Sequence, residues 1–298
     1  MIAAPTDVKL PFFAYGAFKP GELAHAQIVE FLSSEQGTIA TTVPGELLVR
    51  DGLPLFKPDC DGHVRGCLLS FRPDSANEAY DRICKFEPSS IYFWTTVTVR
   101  EGKANILQGK KLDKGNASLL ESREWTFRLD PVFEHGLKVV QQITSELTCN
   151  KFTSAPPESF DWSRFFRIQA AYLLLWSAIE RFSAFAYGPS LKSEERIEKL
   201  DKDPRFRAAF KRHAMGTKKV FDSRNPKNSI KVDPTTIDAD NPTCPCKAAE
   251  FYYGVRSNLS HRGKGACVDG ELVRISLIEL LAIINDILKP ESEVSPCR

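Results

Sequence analysis

The chain has 298 residues, of which 42% are hydrophobic and 26% charged. That composition excludes a largely disordered chain, and at about 150 residues per domain it points to two domains. The 40 Lys+Arg and 38 Asp+Glu leave a formal net charge of +2, which alone says nothing about partners.

The first ~115 residues read as short strands and turns. Pro11–Tyr15, Glu46–Arg50, Val64–Phe71 and Tyr92–Arg100 are rich in β-branched and aromatic residues, and Arg50-Asp51-Gly52 and Asp61-Gly62 supply turns. Helical windows are expected at Glu22–Ser33 and at Ser75–Phe86, where Ala76, Ala79, Tyr80 and Ile83 share a face. Gly102–Ser122 is polar and reads as a long hairpin or mobile loop. Pro131 opens one further helix through Phe133, Leu137, Val140 and Ile143. Residues 151–157, centred on Thr153-Ser154-Ala155-Pro156-Pro157, form a Pro-stiffened linker. After it the apolar period becomes 3.6 over Trp162–Tyr187, with further helices near 191–201, 203–214, 246–262 and 271–288 and a Pro/Asn/Asp-rich loop over 222–245. The expected fold is α+β: a small mixed, barrel-like domain over 1–150, then an all-α bundle over 158–298.

Two segments carry chemistry. Phe12-Phe13-Ala14-Tyr15-Gly16-Ala17-Phe18-Lys19-Pro20-Gly21 is an aromatic strand running into a Gly-flanked turn, whose free N–H groups can hold a carboxylate or phosphate. It resembles the opening of the gamma-glutamylcyclotransferase-like family (also called AIG2-like). Pro44-Gly45-Glu46-Leu47 with Asp51-Gly52-Leu53-Pro54, then Val64-Arg65-Gly66-Cys67-Leu68, then Asp81-Arg82-Ile83-Cys84-Lys85-Phe86-Glu87 with Tyr92, follow in that family's order and spacing. The resemblance covers about residues 10–145. It implies a pocket at the strand ends in which a gamma-glutamyl amide closes to 5-oxoproline and a free amine. Glu87 matches the catalytic acid/base, whose pKa must lie near neutral to move the proton. Tyr15, Gly16, Ala17, Phe18 and Tyr92 match the substrate-holding positions. This chain departs from the family at Ala17-Phe18, which removes a hydroxyl, at Pro88 after Glu87, and at Phe93-Trp94 after Tyr92. On its residues alone, Glu87 also reads as a helix-end carboxylate without a catalytic role.

The second segment is Phe251-Tyr252-Tyr253-Gly254-Val255-Arg256-Ser257-Asn258-Leu259-Ser260-His261-Arg262-Gly263-Lys264. A helix here is expected to end at Gly263, putting His261 in the last turn, where the helix dipole favours imidazolium. Arg256 and His261 lie ~140° apart around that helix. They can converge on one phosphate from either side of a groove, or they are simply favourable charges at a helix end. Arg-x4-His with these flanks resembles the HEPN superfamily over roughly 155–290. The resemblance implies a dimeric, metal-independent ribonuclease: Arg256 holds the scissile phosphate and His261 shuttles protons. Asn258 and Glu180 are candidate supporting groups, Glu180 equally reading as a partner of Arg181 or another arginine.

Residues 202–232 hold ten basic side chains against Asp203 and Asp222, either a polyanion contact or a solvated basic face. Cys244 and Cys246, with His261 and Cys267, fit no strong zinc template, and Asp59-Cys60-Asp61-Gly62-His63 reads as a turn. The expectation is therefore no metal and no cofactor. The eight cysteines are scattered, the N-terminus lacks a signal-peptide pattern, and the longest uncharged apolar run, Ile168 to Ile179, is short of a membrane span. A cytoplasmic homodimer without membrane contact is expected. Its partners would be a gamma-glutamyl or other anionic metabolite in the first half and RNA or a nucleotide in the second. Two functions follow: a fusion of cyclotransferase and ribonuclease acting as a stress or defence effector, or a non-catalytic module that senses a metabolite and binds nucleic acid.

Overall fold

A computed structural model describes residues 2–33, 37–58, 61–112, 117–152, 158–220, 235–238, 247–261 and 266–289; the side chains of His261 and residues 266–268 lie outside the description. The chain divides into two units. The first holds Met1–Glu134 and Phe182–Leu191, the second His135–Arg181 and Lys192–Arg298.

The first unit is built on an eight-stranded, curled half-barrel sheet. Its strands are β1 (Phe12–Ala14), β2 (Thr38–Pro44), β3 (Glu46–Arg50), β4 (Leu53–Lys57), β5 (His63–Leu69), β6 (Tyr92–Val99), β7 (Gly102–Gly109) and β8 (Ser118–Leu119). Their order is β2-β5-β1-β7-β4-β3-β8, with β6 also pairing β7. The β3–β4 hairpin closes where the sequence asks for it. Asp51 (φ 53°) and Gly52 (φ 77°) both take positive φ between paired Arg50 and Leu53, as a two-residue hairpin turn demands. Helix α1 (Ala76–Phe86) buries Ala76, Ala79, Tyr80, Ile83 and Cys84 along one face, as its periodicity predicts. Tyr80 anchors it: its hydroxyl donates to the Leu10 carbonyl (2.7 Å) and accepts from Asn105 Nδ2 (2.9 Å) on β7.

Two expectations fail in this unit. Glu22–Ser33 forms two short 3-10 turns, His25–Gln27 and Val29–Phe31, in place of a helix. There the Glu22 carboxylate accepts the distant Phe127 N–H (2.9 Å) and the His25 ring meets the Phe18 carbonyl (2.9 Å), tying the segment to its surroundings. Gly102–Ser122, read as a hairpin or loop, contains β7, which pairs with β1, β4 and β6.

The second unit is mainly helical: α2 (Leu137–Leu147), α3 (Trp162–Tyr187, its last turns counted with the first unit), α4 (Ser193–Lys202), α5 (Pro204–His213), α6 (Ala248–His261) and α7 (Ala266–Ile287). A two-stranded hairpin, β9 (Thr217–Val220) with β10 (Thr235–Asp238), interrupts it, so part of the expected 222–245 loop is strand. Residues 221–234 and 239–246 lie outside the described residues, as do 153–157 of the expected linker. The units part at Glu134/His135, ahead of that linker. Arg164 Nε on α3 donates to the Leu147 carbonyl (2.8 Å) and Arg274 Nη1 on α7 to that of Thr148 (2.6 Å), which binds the end of α2 into the second unit. No helix among the described residues is long and apolar enough to cross a membrane.

Candidate functional site

In the first unit the turn after β1 lies where two strands lean on β7 at different heights, Phe12 opposite Asn105 and Phe56 opposite Gln108. Tyr15 bridges that place. Its buried hydroxyl donates to the Leu107 carbonyl (2.6 Å) and accepts the Phe56 N–H (3.2 Å). Gly16 then runs against Pro54 so closely that a Cβ would sit 2.8 Å from the Pro54 Cγ, which explains the glycine. Tyr92 reaches the same residue from β6, donating its buried hydroxyl to the Pro54 carbonyl (2.8 Å). Tyr15 and Tyr92 therefore hold the site through hydroxyls already engaged inside the protein. What the turn has left for a ligand is backbone. Lys19 N–H donates to the Gly16 carbonyl and Ala24 N–H to that of Ala17, whereas the Ala17 and Phe18 amides enter no backbone hydrogen bond among the described residues.

Phe18 is buried and meets Phe12 and Phe86 edge to face, at ring distances of 6.2 and 5.5 Å. Phe86 ends α1, and Glu87 follows as its C-cap. The proline at 88 disfavours helical backbone in the residue before it. Glu87 accordingly turns to φ −91°, ψ 127°, while its N–H still donates to the Ile83 carbonyl (3.0 Å). Burial pushes the Glu87 carboxyl up to about 8, with no opposing charge or hydrogen bond contributing. The Tyr15 phenol is raised by burial first; the Phe56 N–H lowers it, and Glu87 raises it further, so Glu87 and Tyr15 lie within each other's field. The structure thus gathers Tyr15, Gly16, Ala17, Phe18, Glu87 and Tyr92 at one end of the sheet.

A raised carboxyl has a stability signature. Below about 4.5, its ordinary value, folded and unfolded chains both carry the proton; between 4.5 and about 8 only the folded chain does; above that neither does. Stability contributed by Glu87 is therefore full at low pH and falls as pH rises, at up to about 1.4 kcal/mol per pH unit. Unfolding free energies of wild type and Glu87→Gln, measured from pH 5 to 9, should diverge in favour of the variant up to about pH 8 and run parallel above it.

In the second unit Arg256 lies on α6, its guanidinium 6.0 Å from the Tyr253 ring centre. Tyr253 tilts against Trp176 of α3 (5.6 Å), and the Trp176 indole N–H donates to Glu180 Oε1 (3.0 Å). Arg256, Tyr253, Trp176 and Glu180 thus form one run across α3 and α6. No cation pairs with Glu180 among the described residues. Gln169 Nε2 donates to the Leu259 carbonyl (3.1 Å), holding the end of α6 to α3. His261 is the last residue of α6; its side chain and that of Cys267 lie outside the description, and Gly263, Cys244 and Cys246 lie outside the described residues. Asn258 is half-buried, and the buried Ser257 hydroxyl has no partner among the described residues.

Beneath α6 sits a polar knot that sequence reading missed. Glu279 of α7, fully buried, accepts from Lys218 Nζ (2.6 Å), the Met215 N–H (2.8 Å) and the Tyr252 hydroxyl (2.9 Å). The Tyr172 hydroxyl donates to the Tyr252 carbonyl (2.9 Å). Removing one partner strands the other charge in a dry interior. Lys218→Ala should cost about 3–5 kcal/mol in urea unfolding, and a loss under about 1 kcal/mol would show the pair to be hydrated. Lys218 is thus structural. Some of its neighbours in the basic stretch are paired too: Lys202 faces Glu198, Arg205 faces Asp203, and Arg212 and His213 both face Asp286. The polyanion field read from 202–232 is weaker over its described part than the count of bases implies.

No family model matches the chain, and no curated protein does. A solved structure of an uncharacterized protein from Pyrococcus horikoshii is similar over 42% of this chain and 96% of its own, at 18% identity and a TM-score of 0.31.

Proposed function

We propose that the first unit is a gamma-glutamylcyclotransferase-like enzyme with Glu87 as its proton shuttle. The observation that carries this reading is the half-buried Glu87, whose carboxyl burial raises to about 8, near a turn whose Ala17 and Phe18 amides have no backbone acceptor among the described residues. The substrate's neutral α-amine attacks the side-chain carbonyl, whose developing negative charge the turn amides stabilise, and Glu87, as carboxylate, takes the proton that this nitrogen sheds as the new C–N bond forms. Glu87 then returns the proton to the departing nitrogen as the C–N bond breaks, leaving 5-oxoproline and a free amine. Incubation with a broad panel of gamma-glutamyl amines, read by mass spectrometry, tests it. Absence of 5-oxoproline across the panel would overturn the enzymatic reading and favour a metabolite-sensing pocket, which Phe18 supports by filling space next to Phe86 with apolar ring.

For the second unit we propose a HEPN-type, metal-independent ribonuclease acting as a homodimer through Arg256 and His261, with Glu180 and Asn258 supporting. The run Arg256–Tyr253–Trp176–Glu180 favours it: a guanidinium on an aromatic wall suits a phosphodiester flanked by bases. RNA bound but not cut by the wild-type protein would select the binding-module reading instead.

A further inference from the structure

Between α4 and the first half of α6 lies a cavity of about 390 Å³, lined by Glu198, Asp201, Arg207, Lys247, Glu250 and Tyr253 among others. We infer that this cavity is a guanine-nucleotide pocket. Its walls are set firmly. The Asp201 carboxylate accepts the Ala249 N–H (2.7 Å) and caps the start of α6, while Arg207 Nε donates to the Asp201 carbonyl (2.5 Å). Asp201 is thereby committed to structure, and burial raises its carboxyl to about 7. Glu198 is committed too, in its pair with Lys202.

The mixed lining decides the ligand class. A polyamine would meet Arg207 and Lys247, a simple inorganic anion would have no use for Tyr253 or Glu250, and an apolar molecule would strand all four. A nucleotide uses every one of them. Its base lies along Tyr253, a contact worth roughly 1–3 kcal/mol per base, and its phosphate takes Arg207 and Lys247. The base edge faces Glu250, which is exposed and forms no ion pair among the described residues. A carboxylate is acceptor-only, and guanine alone offers it two adjacent donors, N1–H and the N2 amino group. Adenine and cytosine would turn a ring-nitrogen lone pair toward it. Tyr253 also lies 6.0 Å from Arg256, so on the ribonuclease reading, on which this part rests, the pocket would hold a base next to the cleaved phosphate.

The test titrates GMP, AMP, CMP and UMP into the intact protein by calorimetry. GMP should bind at least tenfold more tightly than the others, Glu250→Gln should bring the four within about twofold, and Tyr253→Leu should weaken all of them. Should Tyr253→Leu lose its helical circular dichroism, Glu250→Gln alone carries the result. Equal affinities in wild type, or a GMP preference that survives Glu250→Gln, overturns the pocket. Cleavage of mixed-sequence RNA by a protein that shows no preference for GMP would sink the pocket and leave the ribonuclease reading standing. Glu250-dependent GMP selectivity in a protein that cuts no RNA does the reverse. Tighter binding of a single-guanine oligonucleotide than of GMP identifies an RNA base as the source, and the opposite order identifies the free nucleotide.

Discussion

Glu87→Gln should fold normally and form no 5-oxoproline from gamma-glutamyl amines. Both halves follow from the same number. With its carboxyl raised to about 8, Glu87 is mostly protonated at pH 7, so the neutral amide copies its shape and charge and adds no desolvation cost. The amide cannot exchange a proton, however, and a reaction that must move one from the attacking amine to the leaving amine stops. A fall of 10²–10⁴ is the usual weight of general acid–base catalysis, and more is expected where one group serves both steps. In the wild type, kcat/KM should climb with pH toward an inflection near 8, because the free enzyme begins the cycle as carboxylate. Unchanged product formation in the variant would remove Glu87 from the chemistry. A flat profile through pH 8 would show that its titration does not limit the reaction. Thermal unfolding run alongside separates lost catalysis from lost fold.

The site was legible as a string of residues but not as an environment. Gly16 announces a close backbone approach, yet what approaches is Pro54, from a strand thirty-eight residues on. Glu87-Pro88 marks a helix end from local sterics alone. The elevation of its carboxyl is a property of the assembled sheet, to which no residue beside it testifies. Strand β7 shows the same limit. Ala104, Asn105, Ile106 and Leu107 are all buried, so the strand has no alternation to read, and flanking glycines and lysines make the segment resemble a loop. Helices α1 and α3 to α7 fell where periodicity placed them because each carries enough turns for a face to repeat. Pairings such as Lys218 with Glu279 join residues sixty-one apart, and no pattern in either segment points to the other.

Arg256→Ala and His261→Ala should each eliminate RNA cleavage while leaving the helical circular dichroism signal and any dimerisation intact. Attack by a ribose 2′-hydroxyl on the adjacent phosphate needs a group that accepts and then donates a proton near neutral pH, and imidazole is the side chain that titrates there unperturbed. It also needs a fixed cation for the phosphorane's charge. Guanidinium stays charged at every working pH and grips two phosphate oxygens at once. Arg256 sits half-buried against Tyr253 and outside the Glu279 knot, so its truncation should spare the fold, unlike that of Lys218. Arg256→Lys should recover little, since an ammonium keeps the charge but loses the two-pronged grip. Because the attacking and leaving groups are both handled by protein side chains, cleavage should persist in EDTA and leave 2′,3′-cyclic phosphate or 3′-phosphate ends. Products bearing 5′-phosphate, or activity that returns only with Mg²⁺, would place a water or hydroxide as nucleophile and end this mechanism. Full activity in either alanine variant would remove that residue from it.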